Sequence, residues 1–282
     1  MPVHHCPSVI GCVHPGIVVR IVTTTCSNTE IVCALGCADW LVGVDEHSDF
    51  PEDVVGRLPR VGPDLGIDPK KVAALHPDLV IASLTVPGHE KVVQDLRDEG
   101  LNVVAPQPLS LQDVWRDIRD IAQLLGFPER GERLAQRLSD AIPIPPTDPT
   151  GPRILVEWWP KPVIVPGKKS WVTDLIHAAG GVSVLGHEDV ESRPLHPGEG
   201  AVLAPDAVVI AWCGVPFEKY RIDVVTRRPD WQQVPALQHN RVIPISEAWL
   251  GRPGPRLLEG FHALKAVVDS CKTSGPCQDT PD

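Results

Sequence analysis

The stretch SLQDVWRDIRDIAQLLGFPERGERLAQRLSDAI, residues 110–142, predicts two consecutive helices in the middle of the chain. In its first part, apolar residues recur at three- and four-residue steps from Leu111 to Leu125, which is the period of an amphipathic helix. Ser110 is placed to cap this helix, and Gly126 is placed to end it.

The second helix of this stretch is predicted to begin at Pro128, because a proline at the first helical position loses no hydrogen bond. Its apolar face is formed by Leu134, Leu138 and Ile142. Residues 128–142 would span roughly 22 Å at 1.5 Å per residue, which makes this helix a candidate bridge between two lobes. The proline-rich run 143–152 cannot continue it and is interpreted as the entry to the second half.

Strands and helices are predicted to alternate on both sides of these helices. Before them, the expected strands are 17–25, 40–44, 79–83 and 101–106, and the expected helices start at Ser27, cover 70–75 and run from the loop 86–90 to residue 98. After them, the expected strands are 153–159, 207–212 and 241–245, with a short segment 182–185, a helix 170–181 and a helix-like segment 202–206. Apolar strands in such alternation favour parallel sheets covered on both faces.

Two sequence patterns recur in the two halves. RIV begins at Arg20 and RILV at Arg153, while PDLVIA begins at Pro77 and PDAVVIA at Pro205, so the spacing is 57 residues in one half and 52 in the other. The fold class is therefore predicted as α/β, with two lobes that each contain a central, mostly parallel sheet flanked by helices. The expected division is a tail (1–17), a first lobe (18–108), linking helices (109–150), a second lobe (151–270) and a tail (271–282).

Composition excludes several classes of partner. The 282 residues include 26 basic and 36 acidic side chains, for a net charge of -10, and no basic run, so nucleic acid is not expected as a partner. No apolar stretch of about 18 residues occurs, so we expect no membrane insertion. The N-terminus has no secretory signal pattern, which predicts a cytoplasmic protein as encoded, or an extracytoplasmic one if the start is truncated. We expect a monomer.

Ligands of open parallel sheets bind beyond the carboxyl ends of the strands. The segments at these positions are 25–27, 47–50, 83–90, 158–162, 212–215 and 247–253. Five tryptophans of the second half suit a large, planar, partly apolar ligand such as a macrocycle, although packing at strand ends is the alternative for each: Trp158, Trp159, Trp171, Trp212 and Trp249. Predicted helix starts at Ser27 and Ser170 would aim N–H groups at the same region.

Candidate metal ligands are found in two places. His47 and His89 fall in predicted strand-end loops and could meet the metal of a bound cofactor, although a surface histidine is the commoner case. The N-terminal group could hold an ion but matches no zinc motif: His4, His5, Cys6, Cys12 and His14. No nucleophile elbow, phosphate loop or zinc-protease motif is present, so we expect no enzymatic activity.

Four segments are similar to the cobalamin- and siderophore-binding family of ABC-importer substrate-binding proteins, and most of all to its cobalamin-binding members. They are TTTCSNTEIVCALG (23–36), LVGVDEHSDFP (41–51), LPRVGPDLGIDPKKVAALHPDLVIAS (58–83) and WLGRPGPRLLEG (249–260). The resemblance covers about residues 18–268. It implies two α/β lobes joined by one long rigid helix, with a corrin ring held between them.

Carried over by position, the resemblance implies ligand contacts at Cys26, Phe50, Ser83, Trp159, Trp212 and Trp249. Importer-coupled members dock on their permease through one glutamate on each lobe. Glu90 lies near the first such position, whereas the second falls at Gly251, and Glu247 is close to it but not equivalent.

The expected function is therefore to bind a corrinoid as ligand, with no intrinsic cofactor. Because the second docking glutamate is not matched, the sequence leaves open whether the protein works with an ABC-importer permease. The alternatives are a siderophore- or haem-binding receptor and a cytoplasmic enzyme acting on a metal cofactor.

Overall fold

The computed structural model describes residues 19–273 of the chain. The chain divides into two compact units, which are described separately below. Unit 1 contains residues 19–106 together with Arg116–Gln136, and unit 2 contains Gln107–Trp115 together with residues 137–273. The N-terminal histidines and cysteines considered as ion ligands (His4, His5, Cys6, Cys12 and His14) lie outside the described residues.

Unit 1 is built on a four-stranded parallel sheet with the strand order β2-β1-β3-β4. Its strands are β1 (Ile21–Thr23), β2 (Leu41–Val44), β3 (Leu79–Ile81) and β4 (Val103–Val104). Its helices are α1 (Cys26–Ala34), α2 (Glu52–Val55), α3 (Pro69–Ala74) and α4 (His89–Asp98). All residues of β1 and β3 are buried, which explains their uninterrupted apolar and β-branched sequences.

Two helices, α5 (Leu111–Leu124) and α6 (Pro128–Ala141), follow β4 and agree with the prediction from residues 110–142. Ser110 Oγ accepts a hydrogen bond from the Asp113 N–H at 3.1 Å, and Gly126 has a φ of 80° at the end of α5. The apolar stripe is buried in both helices. Each of these helices contributes residues to both units, and the bridging role of α6 stays a prediction.

Unit 2 contains a four-stranded parallel sheet with the strand order β8-β5-β10-β11 and a three-stranded antiparallel sheet with the order β6-β7-β9. Its strands are β5 (Arg153–Glu157), β6 (Trp159–Pro160), β7 (Val163–Pro166), β8 (Val182–Ser183), β9 (Ser192–Pro194), β10 (Ala207–Ile210) and β11 (Val242–Pro244). Its helices are α7 (Trp171–Ala178), α8 (Glu199–Leu203), α9 (Ile222–Thr226), α10 (Pro235–Gln238), α11 (Glu247–Leu250) and α12 (Leu257–Thr273).

The two parallel sheets have the same topology, because β1, β2, β3 and β4 take the same places as β5, β8, β10 and β11. The two units also share an equivalent pair of hydrogen bonds between an arginine and an aspartate. In unit 1, the Arg20 N–H donates to the Asp78 carboxylate and the Asp78 N–H donates to the Arg20 carbonyl, both at 2.8 Å. In unit 2, Arg153 and Asp206 make the same pair of bonds at 2.7 and 2.8 Å. The predicted α/β class and the repeat are thereby confirmed.

Some local predictions are wrong. Helix α1 begins at Cys26 after an extended Thr25, so Ser27 lies inside the first turn with a buried side chain and is not a cap. The strand predicted over 153–159 ends at Glu157, and the residues after it form the β6–β7 hairpin (159–166), where a loop was expected after Trp159. The helix-like segment 202–206 is displaced to α8, which ends at Leu203 because Pro205 prevents its continuation.

Candidate functional site

In unit 1, the loop that follows β2 is held by the buried carboxylate of Asp45. This carboxylate accepts hydrogen bonds from Ser48 Oγ at 2.5 Å and from the His47 N–H at 2.9 Å. Burial raises the pKa of Asp45, and the bond from Ser48 partly opposes that effect. Arg60 supports the same loop, donating to the Asp45 carbonyl at 2.8 Å and to the Ser48 carbonyl at 2.6 Å.

The loop held in this way presents two predicted site residues to solvent. His47 is exposed, and the Phe50 ring is 45% exposed. Because parallel strands share one carboxyl edge, both side chains follow the edge at which ligands of such sheets bind.

Three other predicted contacts in unit 1 are partly or fully buried. Cys26 is half-buried, and its Sγ lies 3.8 Å from Oδ2 of Asp45. Ser27 is buried in the first turn of α1. Ser83 is buried, and its hydroxyl lies 2.9 Å from the Thr85 hydroxyl. Ligand contact by these three side chains stays a prediction, and the Cys26 and Ser83 side chains also contact polar groups of neighbouring strand-end segments.

The side chain of His89, predicted as a candidate ligand for the metal of a bound cofactor, is engaged in other hydrogen bonds. It is the first residue of α4, it is buried, and both of its ring nitrogens are engaged. Nδ1 accepts a bond from the Val86 N–H at 3.2 Å, so Nε2 carries the proton that it shares with Asp64 Oδ1 at 2.8 Å. Binding a metal through Nε2 would break the hydrogen bond to Asp64. His89 is better explained as a structural residue that connects the start of α4 to the segment at Asp64.

Glu90, the predicted docking residue, lies exposed in the first turn of α4. Its Oε2 accepts a hydrogen bond from the Gly88 N–H at 3.0 Å. Bonds from the main-chain N–H groups of Glu90 and Gly88 lower the pKa of this carboxyl. A charged carboxylate at this place is compatible with docking, which stays a prediction.

In unit 2, the strand ends are organised around the buried carboxylate of Glu157, the last residue of β5. It accepts the indole N–H of Trp212 at 2.9 Å and both terminal nitrogens of Arg228, at 2.7 and 2.9 Å. The Arg228 guanidinium also lies 4.6 Å from the ring of Trp231. A buried carboxylate is tolerated here because a bidentate cation and an indole donor satisfy it.

Trp212, which the sequence analysis gave as a ligand contact, is a core residue of unit 2, and its contact with a ligand stays a prediction. Its side chain is 4% exposed and its ring packs on Tyr220 with centroids 5.5 Å apart. The Tyr220 hydroxyl donates to the Trp212 carbonyl at 3.0 Å and accepts the Glu247 N–H at 3.3 Å. Trp171 is also buried, and its indole donates to the Leu250 carbonyl at 2.7 Å.

Four aromatic side chains are exposed among residues 19–273, and each follows the carboxyl end of a parallel strand. Their exposed fractions are 45% for Phe50, 41% for Trp159, 49% for Phe217 and 37% for Trp249. Trp158 is only partly exposed. The sequence analysis missed Phe217, because the segment assigned to the end of β10 stopped at Val215, two residues too early.

Phe217 and Trp249 also line an apolar cavity of about 610 Å³ within unit 2. Its remaining walls come from β11, from the two residues that follow this strand and from α12: Ile243, Pro244, Ile245, Ser246, Ala263, Ala266, Val267 and Ser270. Phe217 and Trp249 thus lie beside further apolar surface.

Within the described part of the chain, no group of three or more His, Cys, Asp or Glu side chains is arranged to hold a metal ion. Over the same residues, no helix is long and apolar enough to cross a membrane.

Two repeated α/β units with aromatic rings beyond their parallel strands define the class of two-lobed solute-binding proteins. The chain matches the family described as periplasmic binding protein over residues 21–248, and it belongs to this family. It is a substrate-binding protein of the ABC-importer type, which confirms the resemblance found in the sequence. The family consists of solute-binding proteins and not enzymes, so the prediction of no enzymatic activity is also confirmed.

Three known proteins are similar to this one over most of the chain. An uncharacterized ABC transporter substrate-binding lipoprotein, YvrC of Bacillus subtilis, is 28% identical, covering 88% of this chain and 79% of its own. A vitamin B12-binding protein of Vibrio parahaemolyticus is 24% identical, with 90% and 88% covered. The apo structure of the periplasmic heme-binding protein RhuT from Roseiflexus sp. RS-1 has a TM-score of 0.74 at 28% identity, with 90% and 98% covered.

Proposed function

We propose that this protein binds a corrinoid at the loops beyond its parallel strands and delivers it to an ABC importer. The observation that carries the proposal is the placement of the four exposed aromatic rings, all of which follow the carboxyl ends of parallel strands. Relatives from several Vibrio strains and from Salmonella choleraesuis, named vitamin B12-binding protein, support the choice of a corrinoid.

The chemistry of such a ligand fits the rings that unit 2 presents. A corrin is broad, flat and partly apolar, and it loses much of its contact with water when it lies against indole faces. Trp159 and Trp249 supply these faces in unit 2, and Phe50 supplies a smaller ring in unit 1. Binding of this kind leaves the ligand chemically unchanged.

Haem is the second candidate, and a specific observation favours it. The heme-binding protein from Roseiflexus is 28% identical to this chain, slightly more than the vitamin B12-binding relative at 24%. Haem is also flat and aromatic, so the same rings suit it. If haem is the ligand, His47 is the exposed candidate for an axial bond to its iron.

We propose an extracytoplasmic location in place of the cytoplasmic one expected from the N-terminus. The relatives are named as periplasmic proteins or as a lipoprotein, and an importer collects its substrate outside the membrane. The exposed Glu90 on α4 is the proposed contact with the permease.

The test is a titration of the purified protein with cyanocobalamin and, separately, with haem, followed by quenching of tryptophan fluorescence. Saturable quenching by cyanocobalamin that is lost in the Trp159→Ala, Trp249→Ala double variant supports the proposal. A matched variant, Val202→Ala, removes an exposed apolar side chain of α8 and should bind like the wild type. Quenching by haem alone would select the second candidate, and quenching by neither would overturn both.

A further inference from the structure

The two exposed indoles of unit 2 lie on different segments that one hydrogen-bonded network connects. At one end, Arg228 Nη2 donates to the carbonyl of Pro160, the residue next to Trp159 in β6, at 3.3 Å. At the other end, the N–H of Glu247, two residues before Trp249, donates to the Tyr220 hydroxyl at 3.3 Å.

The middle of the network is buried. Arg228 makes its bidentate bond to Glu157, and Glu157 accepts the indole N–H of Trp212. The Trp212 carbonyl then accepts the Tyr220 hydroxyl proton at 3.0 Å. The Glu157 side chain is 0% exposed, so its bonds are not weakened by exchange with water.

We propose that Glu157 and Tyr220 are positioning residues that fix the segments carrying Trp159 and Trp249 relative to each other. Neither residue has to contact the ligand. A flat ligand that lies against both indoles gains affinity when the indoles are already held in place, because less conformational freedom is lost on binding. This consequence for affinity rests on the proposed function, whereas the coupling of the two segments does not.

The network also gives Trp212 a role that its sequence position did not reveal. Its indole N–H donates a hydrogen bond to Glu157, and its main-chain carbonyl accepts one from the Tyr220 hydroxyl. The Tyr220 ring also packs on Phe217, with ring centroids 5.3 Å apart. The exposed Phe217 therefore rests on the same network as the two indoles.

The experiment is hydrogen–deuterium exchange of the full-length, ligand-free protein, read by mass spectrometry in residues 158–162 and 246–251. Tyr220→Phe keeps the ring packing and removes only the hydroxyl, so we expect exchange in 246–251 to rise about 2- to 10-fold, the effect of one hydrogen bond. Glu157→Gln disrupts the pairing with Arg228, and both segments should exchange faster. Unchanged exchange in 246–251 in both variants would overturn the proposal.

A control separates positioning from general loss of stability. Glu199→Gln breaks an ion pair with Arg193 in the same unit but outside the network, and it should leave both segments unchanged. The affinity of Tyr220→Phe for cyanocobalamin or haem should fall while that of Glu199→Gln does not. If the wild-type protein binds neither compound, the proposed function fails, but the exchange data still decide whether the network couples the segments.

Discussion

The indole N–H of Trp212 donates a hydrogen bond to Oε1 of Glu157 at 2.9 Å, and both side chains are buried. Trp159, only two residues beyond Glu157, is 41% exposed. These two tryptophans both follow strands of the same sheet, yet one is buried in the core and the other is exposed. Substitutions should separate the two roles.

Replacing Trp212 by alanine should lower the free energy of unfolding by about 3–5 kcal/mol, because a large buried side chain is lost and Glu157 loses a donor. Trp159→Ala should change it by less than about 0.5 kcal/mol, as is usual at exposed positions. Urea denaturation measures both values. Equal stability of the two variants would show that Trp212 is not part of the core.

Ligand affinity should depend on the exposed tryptophans, whose replacement is expected to have little effect on stability. Trp159→Ala and Trp249→Ala should each weaken binding by about 1–3 kcal/mol if the ligand ring stacks on these indoles. The dissociation constants are measured by titration, with Val202→Ala as the exposed control. Wild-type affinity in both tryptophan variants would place the ligand elsewhere.

The repeated Arg–Asp pairs should contribute similar amounts of stability. Asp78→Ala and Asp206→Ala each remove a carboxylate that accepts the main-chain N–H of an arginine at the start of the first strand of its sheet. We expect each variant to lose about 0.5–1.5 kcal/mol of unfolding free energy, the usual net value of one hydrogen bond. A loss in one unit without a matching loss in the other would mean that the two pairs are not equivalent.

Stability should fall at low pH through the carboxylates that pair with Arg193. Hydrogen bonds from Arg193 lower the pKa of Glu199 from 4.5 to about 2 and also lower the pKa of Glu188. Because the folded-state pKa of Glu199 lies below its unfolded value, its contribution is present above pH 4.5 and is lost as the pH falls to about 2.

The measurement for this prediction is the unfolding free energy as a function of pH. In Glu199→Gln the fall between these pH values should be smaller than in the wild type, because position 199 no longer titrates. An identical profile in the variant would show that the Arg193 pair does not contribute.

The sequence was sufficient to predict the two parallel sheets and the two consecutive helices between them, because the features that specify these elements are local. The apolar period of residues 110–142 marks two helices, and the repeated RIV and PD patterns mark equivalent strands. The exposed rings of Phe50, Trp159 and Trp249 were also predicted as site residues, since each follows a strand.

What the sequence could not show depends on partners that are distant along the chain. His89 is paired with Asp64, 25 residues away, and Trp212 with Glu157, 55 residues away. A charged residue within the apolar run RILVEWW was a signal that Glu157 needs a buried partner, but nothing local identifies that partner as Arg228. Helix α1 begins one residue before Ser27 for a similar reason, since tertiary packing buries the serine that local capping preferences would place at the helix end.

The most direct test of the central claim is a calorimetric titration of the purified protein with cyanocobalamin, with haem titrated in parallel. We predict saturable binding of cyanocobalamin with one ligand per chain, a negative heat-capacity change from burial of apolar surface, and a ligand recovered chemically unchanged. No heat of binding with cyanocobalamin under conditions in which the protein is folded would contradict the account.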